Sequence, residues 1–149
     1  MTLKQKIFFY YRQVLIEKIN SLQQVLNDLK ESGANETKST AGDKHETALA
    51  MLQIEQANVR GQLKEAQEQL LVFERIDPAV SAAVIMNGSL IKTNRGYFFL
   101  SVAAGKAVID GRAVIAVSPQ SPLGARMMGR GVGDEVEVNG AAYQIEEIN

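Results

Sequence analysis

Residues 8–29, FFYYRQVLIEKINSLQQVLNDL, and residues 49–73, LAMLQIEQANVRGQLKEAQEQLLVF, each carry a ladder of apolar positions at heptad spacing. The first ladder is Phe8, Arg12, Leu15, Ile19, Leu22, Leu26 and Leu29; the second is Leu49, Leu52, Gln56, Val59, Leu63, Ala66, Leu70 and Phe73. Alternating steps of four and three bury one narrow face of a helix against one partner helix. Set end to end, the ladders are mirror images: Phe8 meets Phe73, Leu15 meets Ala66, Leu22 meets Val59 and Leu29 meets Leu52. The reading is an antiparallel helical hairpin with arms of about 27 residues, roughly 40 Å long at the α-helical rise. Arg12 and Gln56 interrupt the ladders as register devices or snorkelling edges.

Composition narrows the alternatives. The chain has 149 residues, 46% hydrophobic and 22% charged, which suits a folded protein with one ordinary domain or two small ones. It has no cysteine and a single histidine, His45, which excludes a disulfide framework and makes a zinc cluster a poor reading. A solitary histidine in a polar loop reads as solvated. The apolar block at residues 7–11 is followed by Arg12, Glu17 and Lys18 with no small-residue cleavage site, so no signal peptide is read and a cytoplasmic location is expected. No run approaches the roughly 18 apolar residues of a membrane span. Residues 1–76 hold ten Lys+Arg and ten Asp+Glu, and residues 77–149 hold six and seven, so neither half has the basic excess that direct nucleic-acid binding requires.

Pro78 marks the end of the second helix, and a boundary near Asp77 divides the chain into a hairpin, residues 1–76, and a β-rich domain, residues 77–149. Strands are expected at Ala83 to Met86, Ser89 to Thr93, Tyr97 to Val102, Ala113 to Val117, Glu135 to Val138 and Ala142 to Ile148. Asn87-Gly88 reads as a hairpin turn between the first two. The sheet should be small, bent and mostly antiparallel, and the fold class α+β. One short helix is expected over Leu123 to Met128, with Ser121 as its cap, Pro122 in its first turn and Gly129 at its end. In Tyr97-Phe98-Phe99, strand alternation sends Phe98 to one face and its neighbours to the other, which suits core packing better than a peptide pocket.

The connection from about Ser32 to Gly42 is longer than closure of a hairpin needs, and it leads into Asp43-Lys44-His45-Glu46, an acidic tip near residues 32–46. Asp43 and Glu46 lie within one turn at the start of the second helix. Two such carboxylates can supply part of a Mg²⁺ shell shared with another macromolecule. The same spacing is also an N-capping signature, with both acids favoured by the helix dipole. Local spacing leaves both readings open.

Gly42-Asp43-Lys44-His45-Glu46 resembles the Gly-Asp-Leu-Ser-Glu tip of Gre-type bacterial transcript-cleavage factors. Val117-Ser118-Pro119-Gln120-Ser121-Pro122-Leu123-Gly124-Ala125 and Gly133-Asp134-Glu135-Val136-Glu137-Val138 resemble the C-terminal domain of that family. The resemblance extends over nearly the whole chain and implies a coiled-coil hairpin followed by an FKBP-like polymerase-docking domain with one short helix. It further implies a monomeric accessory factor, no enzyme alone, whose partner is bacterial RNA polymerase and which meets RNA only through it. By resemblance, Asp43 and Glu46 are the catalytic and metal-holding acids, acting on Mg²⁺ supplied at the polymerase active site, and Ser121, Pro122 and Leu123 belong to the docking loop. The sequence departs from the family at Lys44, His45, Thr47, Leu49, Ala50 and Gln120. Two other readings stand beside it: a secondary-channel regulator that does not cleave, and an FKBP-like peptidyl-prolyl isomerase or chaperone.

Overall fold

The computed structural model describes residues 1–36 and 43–149, and the side chains outside 35–45. Its elements are α1 (Leu3–Glu36), α2 (Asp43–Phe73), β1 (Leu90–Thr93), β2 (Gly96–Leu100), β3 (Gly105–Ile109), β4 (Arg112–Val117), α3 (Pro122–Met127), β5 (Glu135–Val138) and β6 (Ala141–Ile148). The fold is α+β. Two compact units divide it: Met1–Val14 with Leu71–Asn149, and Leu15–Leu70.

In the Leu15–Leu70 unit every ladder position is buried or half-buried, with Leu15, Leu26, Leu63 and Ala66 the most enclosed, while Val25, Met51 and Ile54 off the stripe are exposed. Burial thus follows the heptad stripe. The Gln56 side-chain amide donates to the Leu29 carbonyl at 3.4 Å. Helical side chains lean toward their own N-terminus, so Gln56, set opposite Val25 by the mirror register, reaches one turn further along α1. A polar interruption in the stripe therefore spends its amide on the partner helix backbone. Helix α1 continues to Glu36, a turn beyond the expected loop start at Ser32; residues 37–42 lie outside the described residues.

The other unit holds both ends of the helical hairpin and all six strands. Thr2 and Gln5 form a capping box: the Gln5 amide donates to Thr2 Oγ1 (3.1 Å), and the Thr2 amide to Gln5 Oε1 (3.0 Å). The sheet runs in the order β3-β4-β2-β1-β6-β5, antiparallel except for the parallel pair β2 and β4. Strand β2 is covered on both sides. On one, Phe98 and Leu100 join Ile85, Ile91, Met127, Val136 and Ile145, and the Phe98 ring meets Tyr143 edge-on at 5.7 Å. On the other, Phe99 lies against Tyr11 (6.5 Å) and Phe73 (5.9 Å), and Phe73 stacks on Phe8 at 4.9 Å. These aromatic contacts tie residues 1–14 and 71–73 to the sheet, so packing draws its division inside the helices and the chain-order boundary near Asp77 falls within one unit.

Three sequence expectations need correction. Ala83 to Met86 is no strand: it makes one isolated bridge, Val84 with Gly131, and is held by bonds from the Ile85 amide to the Arg130 carbonyl and from the Gly129 amide to the Ile85 carbonyl, both 2.8 Å. Asn87-Gly88 is accordingly not a strand-to-strand hairpin. It is a turn closed by the Ser89 amide on the Met86 carbonyl (3.0 Å), with Gly88 at φ 89°. Strand β3 was not expected. It pairs with β4 through the two-residue turn Asp110-Gly111, both at positive φ (51° and 73°), and Asn139-Gly140 (52° and 80°) joins β5 to β6 in the same manner.

Tyr11 locks the first turns of α1 to this sheet. Fully buried, its hydroxyl donates to the Gly105 carbonyl at 2.7 Å, with the Val114 carbonyl at 3.2 Å, and burial pushes the phenol up to about 12. A raised folded-state value means that the native state holds a proton the unfolded chain has lost. Stability is then expected to be flat below pH 10 from this source and to fall between pH 10 and about 12, by up to about 1.4 kcal/mol per pH unit. Tyr11→Phe should cost about 1–2 kcal/mol at neutral pH and abolish that alkaline fall in urea midpoints.

Candidate functional site

The expected tip acids sit at the start of α2, whose first residue is Asp43. The side chains of Asp43, Lys44 and His45 lie outside the described residues. Glu46, in the first turn, is exposed, and its carboxylate makes no hydrogen bond or ion pair among the described residues. An exposed, unpaired carboxylate is a hard oxygen donor of the kind Mg²⁺ takes, and a second acid three residues earlier adds another. Such a pair supplies part of a coordination shell and leaves the remainder to other ligands. Among the described residues no three of His, Cys, Asp or Glu gather as a metal site. Leu49, one turn on, is half-buried within the helical stripe.

The second set of residues lies in the other unit, at α3. Ser121, at φ −67° and ψ 156°, caps this helix: its Oγ accepts from the Gly124 amide at 3.0 Å and donates to the Ser118 carbonyl at 2.7 Å. Pro122 follows at the first helical position, where a missing amide costs nothing. Leu123 is half-buried against the core, Gly124 and Met127 are buried, and Pro122, Ala125 and Arg126 are exposed. Of the three expected docking residues, then, Ser121 spends its hydroxyl on the cap, Leu123 turns inward, and Pro122 is open to solvent. Pro122, Ala125 and Arg126 border a shallow cleft of about 370 Å³ with Glu137, Val138 and Asn139.

Gly124 is the constrained position in this segment. A Cβ there would lie 2.0 Å from the Ser118 carbonyl oxygen, the same oxygen that holds the Ser121 hydroxyl. Gly124→Ala must therefore pull α3 off its cap. It is expected to cost about 1–3 kcal/mol in urea unfolding, against a change within about 0.5 kcal/mol for the exposed Ala125→Ser.

Among the described residues four polar residues are buried, Lys4 (6% exposed), Ser89 (2%), Thr93 and Ser101, and the burial of Lys4 is the one that runs against the sequence pattern. A lysine in the first turn of an amphipathic helix reads as solvated, and only the fold of residues 75–89 over it encloses it.

Among the described residues no helix is long and apolar enough to cross a membrane. No family model and no curated protein matches the chain. Among solved structures, that of the transcription factor Gfh1 is similar over 92% of this chain and 92% of its own, at 14% sequence identity and a TM-score of 0.37.

Proposed function

We propose that this chain is a cytoplasmic accessory factor of a bacterial RNA polymerase that presents the start of α2 to the polymerase active site and stimulates cleavage of backtracked RNA. The observation that carries the reading is Glu46, an exposed carboxylate in the first turn of α2 without a partner among the described residues. The Gly-Asp-Lys-His-Glu stretch around it resembles the Gre tip, and the Ser-Pro-Leu-Gly stretch at α3 resembles the C-terminal domain of the same family, in the same chain order. Within this reading Asp43 and Glu46 offer anionic oxygens to Mg²⁺ at the polymerase site. That ion, when bound, supplies charge neutralisation and an activated water. The exposed face of α3, at Pro122, Ala125 and Arg126, contributes to docking.

A second reading is favoured by Leu49. The resembled motif has an acid there, whereas this chain commits the position to helix packing, and Lys44 replaces an apolar residue of the tip. A factor of this kind would occupy the polymerase secondary channel and restrain transcription without cutting. One assay separates the two: purified chain added to stalled, backtracked elongation complexes. Shortened RNA is the outcome expected of the cleavage factor. Bound protein with slowed extension and full-length RNA supports the regulator, and no effect with no binding overturns both.

A further inference from the structure

A cavity of about 380 Å³ lies within the sheet-bearing unit, between the first turn of α1, the chain leaving α2, the Met86–Ser89 turn and Ser101. Its polar lining holds buried hydrogen-bond donors that lack a full set of acceptors among the described residues. Lys4 uses one ammonium hydrogen on the Val80 carbonyl at 2.5 Å and, among the described residues, makes no salt bridge and no second hydrogen bond, with Asp77 acting on it only at longer range. Ser89 Oγ accepts from the Met86 amide at 3.0 Å, but its own hydroxyl hydrogen has no acceptor among the described residues. Both side chains are more than nine-tenths buried. Arg75 and Asn87, exposed at the margin, have side chains without a partner among the described residues.

Buried donors left unmatched are costly, so a wall that gathers them is suited to a ligand that is all acceptor. The charge balance agrees: two cations, Lys4 and Arg75, face one carboxylate, Asp77, whose Oδ1 is engaged by the Ala79 amide at 3.0 Å. Apart from Ser101, the remaining wall is apolar, with Val72, Ile76, Val80 and Met86. It is also firm: Gly88 packs so closely on Ile76 that a Cβ would come within 2.8 Å of Cγ2, and its amide is held by the Leu100 carbonyl at 2.6 Å. A volume of this size falls at the small end of the range for small-molecule sites.

We infer that this cavity binds a small molecule bearing one oxyanion group, carboxylate or phosphate, with Lys4 and Ser89 donating to it from within, Arg75 from the margin, and a compact apolar body against Val72, Ile76 and Met86. Carboxylate and phosphate oxygens accept from ammonium, guanidinium and hydroxyl donors alike. Desolvation holds the Lys4 amine below its ordinary value, partly offset by Asp77, so an anion arriving beside it raises that value again. The site shares no residue with the tip acids or with α3, and its success or failure leaves the polymerase reading where it stands.

The test is a titration of the full chain, followed by backbone amide NMR, with inorganic phosphate and with butanoate, each against chloride at matched ionic strength and pH. Saturable shifts confined to Arg75–Asp77 and Asn87–Ser89 are expected with at least one of the two anions where chloride gives none, and which anion acts identifies the head group. Arg75→Gln, which removes an exposed and unpartnered side chain, should weaken binding about tenfold with an unchanged melting temperature, and Ser89→Ala about fivefold. The Lys4 amine should titrate at higher pH in the saturated protein. Shifts no different from chloride, saturation at other amides, or wild-type binding by both variants would overturn the proposal.

Discussion

Phe99→Ala is expected to lower the unfolding free energy by about 4 kcal/mol. Phe99 is fully buried on β2, and its ring touches Tyr11 at 6.5 Å and Phe73 at 5.9 Å between centroids. Truncation removes the apolar transfer term and leaves a cavity that three rigid neighbours, the sheet and two helix ends, cannot easily close. The loss should appear as a shift in guanidinium midpoint at nearly constant slope. Phe9→Ala is the control: that residue is 50% exposed on α1, and its truncation should cost about 1 kcal/mol or less. Equal losses in the two variants would contradict the two-sided core around β2. The same packing bears on truncation. A fragment of residues 77–149 lacks Phe8, Tyr11 and Phe73 and uncovers Phe99, so it should show no cooperative unfolding, and tests of polymerase docking belong on the full chain.

Under the proposed cleavage function, replacing Asp43 with Asn and Glu46 with Gln should abolish stimulated RNA cleavage, by about a hundredfold or more, while polymerase binding persists. Amides keep much of the capping hydrogen bonding but remove the charge, so α2 should lose no more than about 1 kcal/mol. The capping reading and the proposed metal-holding role of these acids thereby make opposite demands on a single pair of measurements. Midpoints of thermal unfolding read the cap, and the length of RNA released from backtracked complexes reads the charge. Unchanged cleavage by the double variant would reduce Asp43 and Glu46 to a helix cap. Wild-type protein that binds polymerase and cuts nothing would hand the site to the regulator reading, with Leu49 as its physical reason.

Features whose determinants lie within a few residues were legible in the chain. A heptad stripe is a local period, and every ladder position is buried or half-buried in the fold. Ser121, Pro122 and Gly129 delimit α3 because cap, first turn and stop all fall within nine residues. The alternation through Phe98 and Phe99 correctly sent the two rings into opposite layers. The tip was legible only as a spacing, since Asp43 and Glu46 satisfy a cap and a partial metal shell equally well. The Thr2-Gln5 capping box and the Asp110-Gly111 hairpin were written in equally local signals, and β3 could have been found from the second of these.

Choices between distant partners were not legible, because a period or a turn specifies a shape and leaves open what it meets. Residues 83–86 have a strand-like composition, yet the chain uses them against residues 129–131 and gives β1 to β2 and β6. Parallel pairing of β2 with β4 passes over the intervening β3, and the aromatic attachment of residues 1–14 to the sheet is a contact across many tens of residues. So is the enclosure of Lys4: a first-turn lysine is written as a surface residue, and only the return of residues 72–89 across it removes it from water and sets its donors beside that of Ser89. By itself the sequence determined the helical hairpin, α3 and most strand positions, through local period and capping. The tertiary structure alone decided strand order, the core shared by helix ends and sheet, and the donor-lined cavity, because burial and partner choice depend on residues far apart in the chain.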